Sequence, residues 1–141
     1  MQYRRYCDVL SGQFMDVVLC NLKEIDNPGS RGFSWGDGPW PLEFFVVRKG
    51  AEVFGFVNRC PHAGHALNWQ SDRFLTREQD LILCNSHGAR FQIENGICVS
   101  GPCPGASLEP VALRIDKDQI IADADELNIL MKNTIGAVLE K

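Results

Sequence analysis

Two short segments of this 141-residue chain carry metal-binding side chains at close spacing: Cys60-Pro61-His62 and Cys84-Asn85-Ser86-His87. Each offers one thiolate and one imidazole, with residues 63–83 between them. The chain has only three His, at 62, 65 and 87, and six Cys, at 7, 20, 60, 84, 98 and 103. A structural zinc site usually pairs its two Cys closely and its two His closely. Here Cys and His alternate, and a C-x-H pair is tight for one tetrahedral ion. A binuclear [2Fe–2S] cluster suits the alternation better, each segment giving its Cys to one iron and its His to the other.

The elements around these segments read mostly as strands. Val17–Cys20 is a short apolar strand, and Asn21 can cap a helical turn through Leu22 to Ile25. Residues 27–41 hold seven Gly or Pro and two Trp, which reads as a loop. Leu42–Arg48 and Glu52–Asn58 form a hairpin joined at Lys49-Gly50. The first metal-binding segment follows that hairpin, and the second follows the apolar Leu81-Ile82-Leu83, so both sit on loops leaving strands. Asn95-Gly96, between Phe91–Ile93 and Ile97–Val99, predicts a type I′ hairpin. A third hairpin is expected between Val111–Ile115 and Gln119–Ala122, around residues 116–118. Then the period changes: Leu127, Leu130, Met131, Ile135 and Val138 recur at helical spacing, predicting a helix over about 123–139 with Asp123 or Asp125 as N-cap. It is expected to pack back on the sheet. The expected fold is all-β with a C-terminal helix, one domain over 1–141 with its core at about 16–122.

Composition narrows the partners and the compartment. A formal net charge of −4 and 23% charged residues lack the basic stripe of a nucleic-acid binder. No stretch approaches the ~20 apolar residues of a membrane span. Arg4-Arg5 begins like a twin-arginine export signal, but Tyr6–Phe14 carries Asp8, Ser11 and Gln13 and no apolar region follows. A cytoplasmic protein is expected, and in a reducing compartment clustered Cys and His read as metal ligands or redox groups.

At CPHAGHALNW (60–69), CNSHGARF (84–91) and GPCPGASLEP (101–110) the sequence resembles the Rieske iron–sulfur proteins. The resemblance implies antiparallel sheets with a cluster-binding subdomain made by two fingers, and one [2Fe–2S] cluster per chain. It implies that Cys60 and Cys84 hold the inner iron, that His62 and His87 hold the outer one, and that Gly101-Pro102 belongs to a proline loop over the cluster. The stretch between the fingers is a few residues longer than in typical Rieske ferredoxins, with the excess expected in 70–80.

The same resemblance bears on potential. Two ferric ions, two sulfides and two thiolates cancel, so reduction takes the site from neutral to one negative charge. An all-Cys cluster starts at two negative charges, so His ligation raises the potential, to roughly −150 to +300 mV. The high-potential respiratory members have an extra Cys in each finger, where this chain has His65 and Ser86. They also carry hydroxyls where this chain has Ala89 and Phe91. Fewer donors toward sulfur stabilise the reduced state less, so a low potential is expected. His65 is expected beside the cluster or in solvent rather than as a ligand. Cys98 and Cys103 are expected as free thiols, Cys7 and Cys20 as small buried residues, and the Trp as core or loop anchors.

Among Rieske functions, an oxygenase needs a second iron held by two His and a carboxylate. With His62 and His87 on the cluster only His65 remains. A respiratory subunit needs a membrane anchor, and no G-x-G-x-x-G dinucleotide motif is present. The expectation is therefore a soluble one-electron carrier and not an enzyme: a Rieske-type ferredoxin, monomeric, between a reductase and a terminal oxygenase or other oxidoreductase. The alternative is a small subunit of a larger oxidoreductase, similar to that of assimilatory nitrite reductase, motivated by the C-terminal helix and the Trp-bearing segment 27–41. A structural or sensing iron–sulfur module is a weaker third.

Overall fold

The computed structural model describes residues 4–5, 16–36, 39, 41–61, 66–68, 70–85, 88–101 and 105–139. Its centre is β4 (Leu42–Lys49), whose run Phe44–Val47 is buried on both faces, which explains why it lacks the alternation of a half-exposed strand. β4 lies between β3 (Gly29–Trp35) and β5 (Glu52–Val57), all antiparallel, and β9 (Pro110–Val111) pairs with β5 to complete a four-stranded sheet. The β4–β5 hairpin closes through Gly50, at φ 67, a conformation a side chain would disfavour.

The strand β3 corrects the loop expected over 27–41. Gly29–Trp35 pairs residue for residue with β4, and Phe33 stacks on Phe44 with ring centroids 5.6 Å apart. Phe33 and Trp35, both buried, alternate with small residues, so a strand pattern is present beneath the glycines. Gly32 is small for a reason: a Cβ there would press on the Phe74 ring at 3.4 Å.

A second four-stranded sheet has the order β1 (Arg4–Arg5), β2 (Asp16–Asn21), β11 (Gln119–Asp123), β10 (Arg114–Asp116). Thus Arg4-Arg5 pairs with Val17-Val18 as an edge strand. After β2, Leu22–Glu24 makes the expected helical turn, of 3₁₀ type, capped as a box: Lys23 N donates to Asn21 Oδ1 and Asn21 N to Glu24 Oε1. Two hairpin expectations change. The type I′ turn falls at Lys117-Asp118, where both residues have positive φ (51 and 65). At Asn95-Gly96 only Gly96 is left-handed, and residues 93–96 form a four-residue loop, because Ile93 turns into the core instead of extending the strand. Val111 belongs to the central sheet rather than to the third hairpin.

The helix α1 (Ala124–Leu139) follows β11 directly. Leu127 (0% exposed) and Leu130 face inward with Met131 half-buried beside them, while the expected Ile135 and Val138 have side chains outside the described set. Burying a Leu side chain fully contributes about 2 kcal/mol. Trp35 Nε1 donates to Asn128 Oδ1 at 2.8 Å, and Gly36, at φ 107, leaves room for the Met131 sulfur that a Cβ would strike.

The third sheet, β6 (Leu81–Leu83), β7 (Arg90–Gln92) and β8 (Cys98–Ser100), packs on the opposite face of β4. Two cores result. Leu42, Phe44 and Val46 face the β2–β11 sheet and the helix; Phe45 and Val47 face the third sheet and its loops. Among the described residues no helix is long and apolar enough to cross a membrane.

Candidate metal centre

Cys60 and Cys84 lie in the same core cluster, each 1% exposed, with Leu67, Phe74, Ala89 and Phe91. Neither is in a disulfide. Cys60 follows β5 by three residues, and Cys84 follows β6 directly, so each is the first residue its loop buries after leaving a strand. From each thiol the chain runs outward at once: Pro61 is exposed after Cys60, and Asn85 and Gly88 after Cys84. His62, His65, Ser86 and His87 lie outside the described residues, as do Pro102, Cys103, Cys7, Trp40 and Trp69.

Backbone and amide hydrogen bonds hold the second loop in shape. Cys84 N donates to Ala89 O at 2.9 Å and Gly88 N to Cys84 O at 3.0 Å, closing a tight turn with Gly88 at φ 75. The third loop abuts it. A Cβ on Gly101, at φ 100, would lie 2.7 Å from the Ala89 Cα, so only glycine permits this approach. Ala89 and Phe91, which carry no hydroxyl, are 1% and 0% exposed and serve as core.

The first loop is closed and joined to the second by side-chain amides that the sequence reading missed. Asn58 Oδ1 accepts from Leu67 N at 2.8 Å, and Asn58 Nδ2 donates to Asn68 Oδ1 at 2.9 Å. Leu67 O in turn accepts from Asn85 N at 2.9 Å. A polar Asn ending an apolar strand, and another directly after Cys84, were the available signals.

The segment between the loops forms an arm. Thr76 N donates to Leu81 O and Leu83 N to Phe74 O, both at 2.9 Å, which extends the third sheet beyond β6. Asp72 Oδ1 accepts from Gly32 N at 2.8 Å, and Ser30 Oγ donates to Asp72 O at 2.7 Å, so the arm covers the free edge of β3. Phe74 anchors it, stacked on Phe45 at 4.2 Å. A polar groove of about 1000 Å³ runs beside the arm, from Glu24 and Arg31 to Asn85.

Of the remaining cysteines, Cys98 is in no disulfide, and its thiol donates to Ser100 O at 3.2 Å. Cys20 is buried, and that burial pushes its thiol up to about 11 against the opposing effect of Arg31, so it stays protonated at neutral pH.

The Rieske [2Fe-2S] domain model matches residues 15–120, more than half of the chain. The chain belongs to the Rieske family of iron–sulfur proteins, whose domains each carry one [2Fe–2S] cluster. The described residues fit that group: two buried thiols on two joined loops are the donors that would hold one iron, and Pro61 and Asn85, which follow them, are exposed.

Comparison with curated protein sequences finds no match. Solved structures show the fold. The ferredoxin of carbazole 1,9a-dioxygenase from Nocardioides aromaticivorans IC177 is 24% identical with a TM-score of 0.58, over 76% of this chain and 95% of that one. A complex of reduced oxygenase and oxidized ferredoxin in carbazole 1,9a-dioxygenase gives 18% identity and 0.60, over 77% and 92%. The terminal oxygenase of carbazole 1,9a-dioxygenase from Novosphingobium sp. KA1 gives 16% and 0.62, but this chain covers only 30% of it.

Proposed function

We propose that this chain is a one-electron carrier, a Rieske-type ferredoxin in a single domain, and not itself an enzyme. In this reading Cys60 and Cys84 bind the inner iron as thiolates and His62 and His87 bind the outer iron. When bound, the cluster supplies a one-electron couple. The protein's own part is to hold two thiolates in a dry core and to present the histidine side to a redox protein. Ala89 and Phe91 offer no hydroxyl toward sulfur, which supports a low potential.

The observation that carries the reading is the pair of buried cysteines, neither in a disulfide, at the base of two hydrogen-bonded loops. The likeness to a ferredoxin supports a carrier: the matched fold accounts for 95% of that ferredoxin chain. Within these 141 residues His65 alone remains for any second iron. By analogy with the ferredoxin–oxygenase complex, the partners are a reductase and a terminal oxygenase, met through a small transient contact, in the cytoplasm. The subunit alternative rested on the helix and the Trp-bearing segment. Leu127 and Trp35 are buried against the domain's own core, which supports a carrier at those two positions.

Iron and sulfide analysis with EPR of the dithionite-reduced protein tests the reading. Two irons, two sulfides and the low average g of a His-ligated cluster are expected; bound zinc without iron would overturn it. A midpoint well above zero would overturn the low potential. Size exclusion with the redox partners separates carrier, a free monomer, from subunit, a stoichiometric complex.

A further inference from the structure

The first metal-binding loop leaves β5 at Asn58 and returns at Leu67, and the side chain of Asn58 bridges the two ends. Its backbone is fixed independently, since Asn58 N donates to Glu43 O at 2.8 Å and so continues the β4–β5 ladder one residue past the strand. From this anchored position the amide uses both of its functions: Oδ1 accepts from Leu67 N, and Nδ2 donates to Asn68 Oδ1, whose own Nδ2 donates to Gln70 O at 3.0 Å. Leu67 is 1% exposed, so its amide has little water to fall back on. The carbonyl of the same Leu67 accepts from Asn85 N, the residue after Cys84. A continuous path therefore runs from the rigid sheet through Asn58 and Leu67 to the second loop, with Cys60 two residues from one end and Cys84 one residue from the other.

We propose that Asn58 is a positioning residue for the cluster: it locks the two finger loops into one unit, so that the Cys60 and Cys84 thiols are set at their working separation by the protein rather than by the metal. This rests on the assignment of those thiols as ligands. The amide fits the task because a single planar group satisfies a backbone donor and a side-chain acceptor at fixed angles. Alanine removes both bonds, leaves Leu67 N unsatisfied and frees the first loop to move against the second. Aspartate keeps the acceptor for Leu67 N. Groups that orient ligands typically change metal affinity by about 10–100-fold when lost.

The test measures loss of the visible spectrum under an iron chelator, beside thermal unfolding, in holoprotein of four kinds: wild type, Asn58→Ala, Asn58→Asp and Asn128→Ala. Asn128→Ala loses the Trp35 bond in the other core and serves as a control for lowered stability alone. Asn58→Ala is expected to lose its cluster about tenfold faster or more, with a shifted reduced EPR spectrum. Asn58→Asp is expected to recover most of the lifetime while lowering the midpoint potential through its charge. If Asn58→Ala yields too little folded protein, Asn68→Ala removes the second bond together with the Asn68–Gln70 bond while keeping the bond to Leu67 N, and a roughly twofold to threefold faster loss is expected. Cluster loss in Asn58→Ala no faster than in Asn128→Ala at equal stability overturns the proposal, as does failure of Asn58→Asp to recover lifetime or an unchanged Asn68→Ala. A wild-type protein that binds no iron instead overturns the ligand assignment beneath it.

Discussion

Phe44 and Phe45 are neighbours in the chain, both fully buried, and they belong to different cores. The Phe44 side holds a strand sheet and a long helix, closed by Leu127, Trp35 and Ile120, with regular ladders supplying nearly every backbone partner. The Phe45 side holds three-residue strands, an arm and three loops, with Cys60 and Cys84 among its buried groups. There, beside the short β6–β7–β8 ladders, Asn58 and Asp72 side chains accept from Leu67 N and Gly32 N, and Asn85 N donates to Leu67 O, to hold the loops. One side is built to be stable by packing. The other exposes loop residues around a buried thiol pair, and needs specific polar contacts to keep its loops in register.

That division can be broken most forcefully at the fingers. His87→Ala is expected to abolish the visible spectrum of the purified protein, while His65→Ala retains it; far-UV circular dichroism in both should keep the strand signal of the Phe44 side. Loss of colour in both variants would make His65 a ligand.

The two phenylalanines sharpen the contrast. Phe44→Ala and Phe45→Ala each remove a fully buried ring and should each cost about 3–5 kcal/mol in denaturant unfolding. Only Phe45→Ala, which also loses the stack on Phe74, is expected to speed cluster release under conditions where both stay folded. Equal release rates would mean the cores are not separable.

Smaller still, Asn128→Ala should cost about 1 kcal/mol, read as a lower Tm, with the reduced EPR spectrum unchanged. The smallest effect concerns Glu126, which accepts from Ala112 N at 3.0 Å and whose carboxyl is pushed up by burial, with Asp123 and Glu109 adding to the shift. A raised folded value means the ionised form is disfavoured by folding. The resulting penalty is absent well below 4.5, grows as pH rises through the folded value, and is complete above it. Glu126→Gln keeps the acceptor and should raise Tm slightly at pH 7 and not at acid pH.

Much of this was legible in residue order. The β4–β5 hairpin, the Asn21 cap and the helix after Asp123 were read from local patterns, because each depends on contacts within a few residues. The β3 strand was not: the glycines and prolines of 27–41 read as a loop, whereas Gly29–Trp35 pairs in full with β4 and Gly32 lies against Phe74 from 42 residues away. Turn type misled for a similar reason. Asn95-Gly96 favours type I′ locally, but burying Ile93 lengthened the loop, and Lys117-Asp118, with no glycine, took the tight turn because β10 and β11 end opposite each other there.

The sequence by itself determined the chemistry: the types and spacing of two Cys-and-His segments are enough to read a Rieske motif, since ligand identity is a property of side chains. Only the tertiary structure decided what holds those segments. That Asn58 should bond Leu67, and Leu67 the second loop, depends on where β5 ends relative to β6, and no local pattern encodes that distance. Nor does any local pattern reveal that one strand divides the molecule into two cores. Those are long-range packing outcomes, fixed when the sheets close on β4.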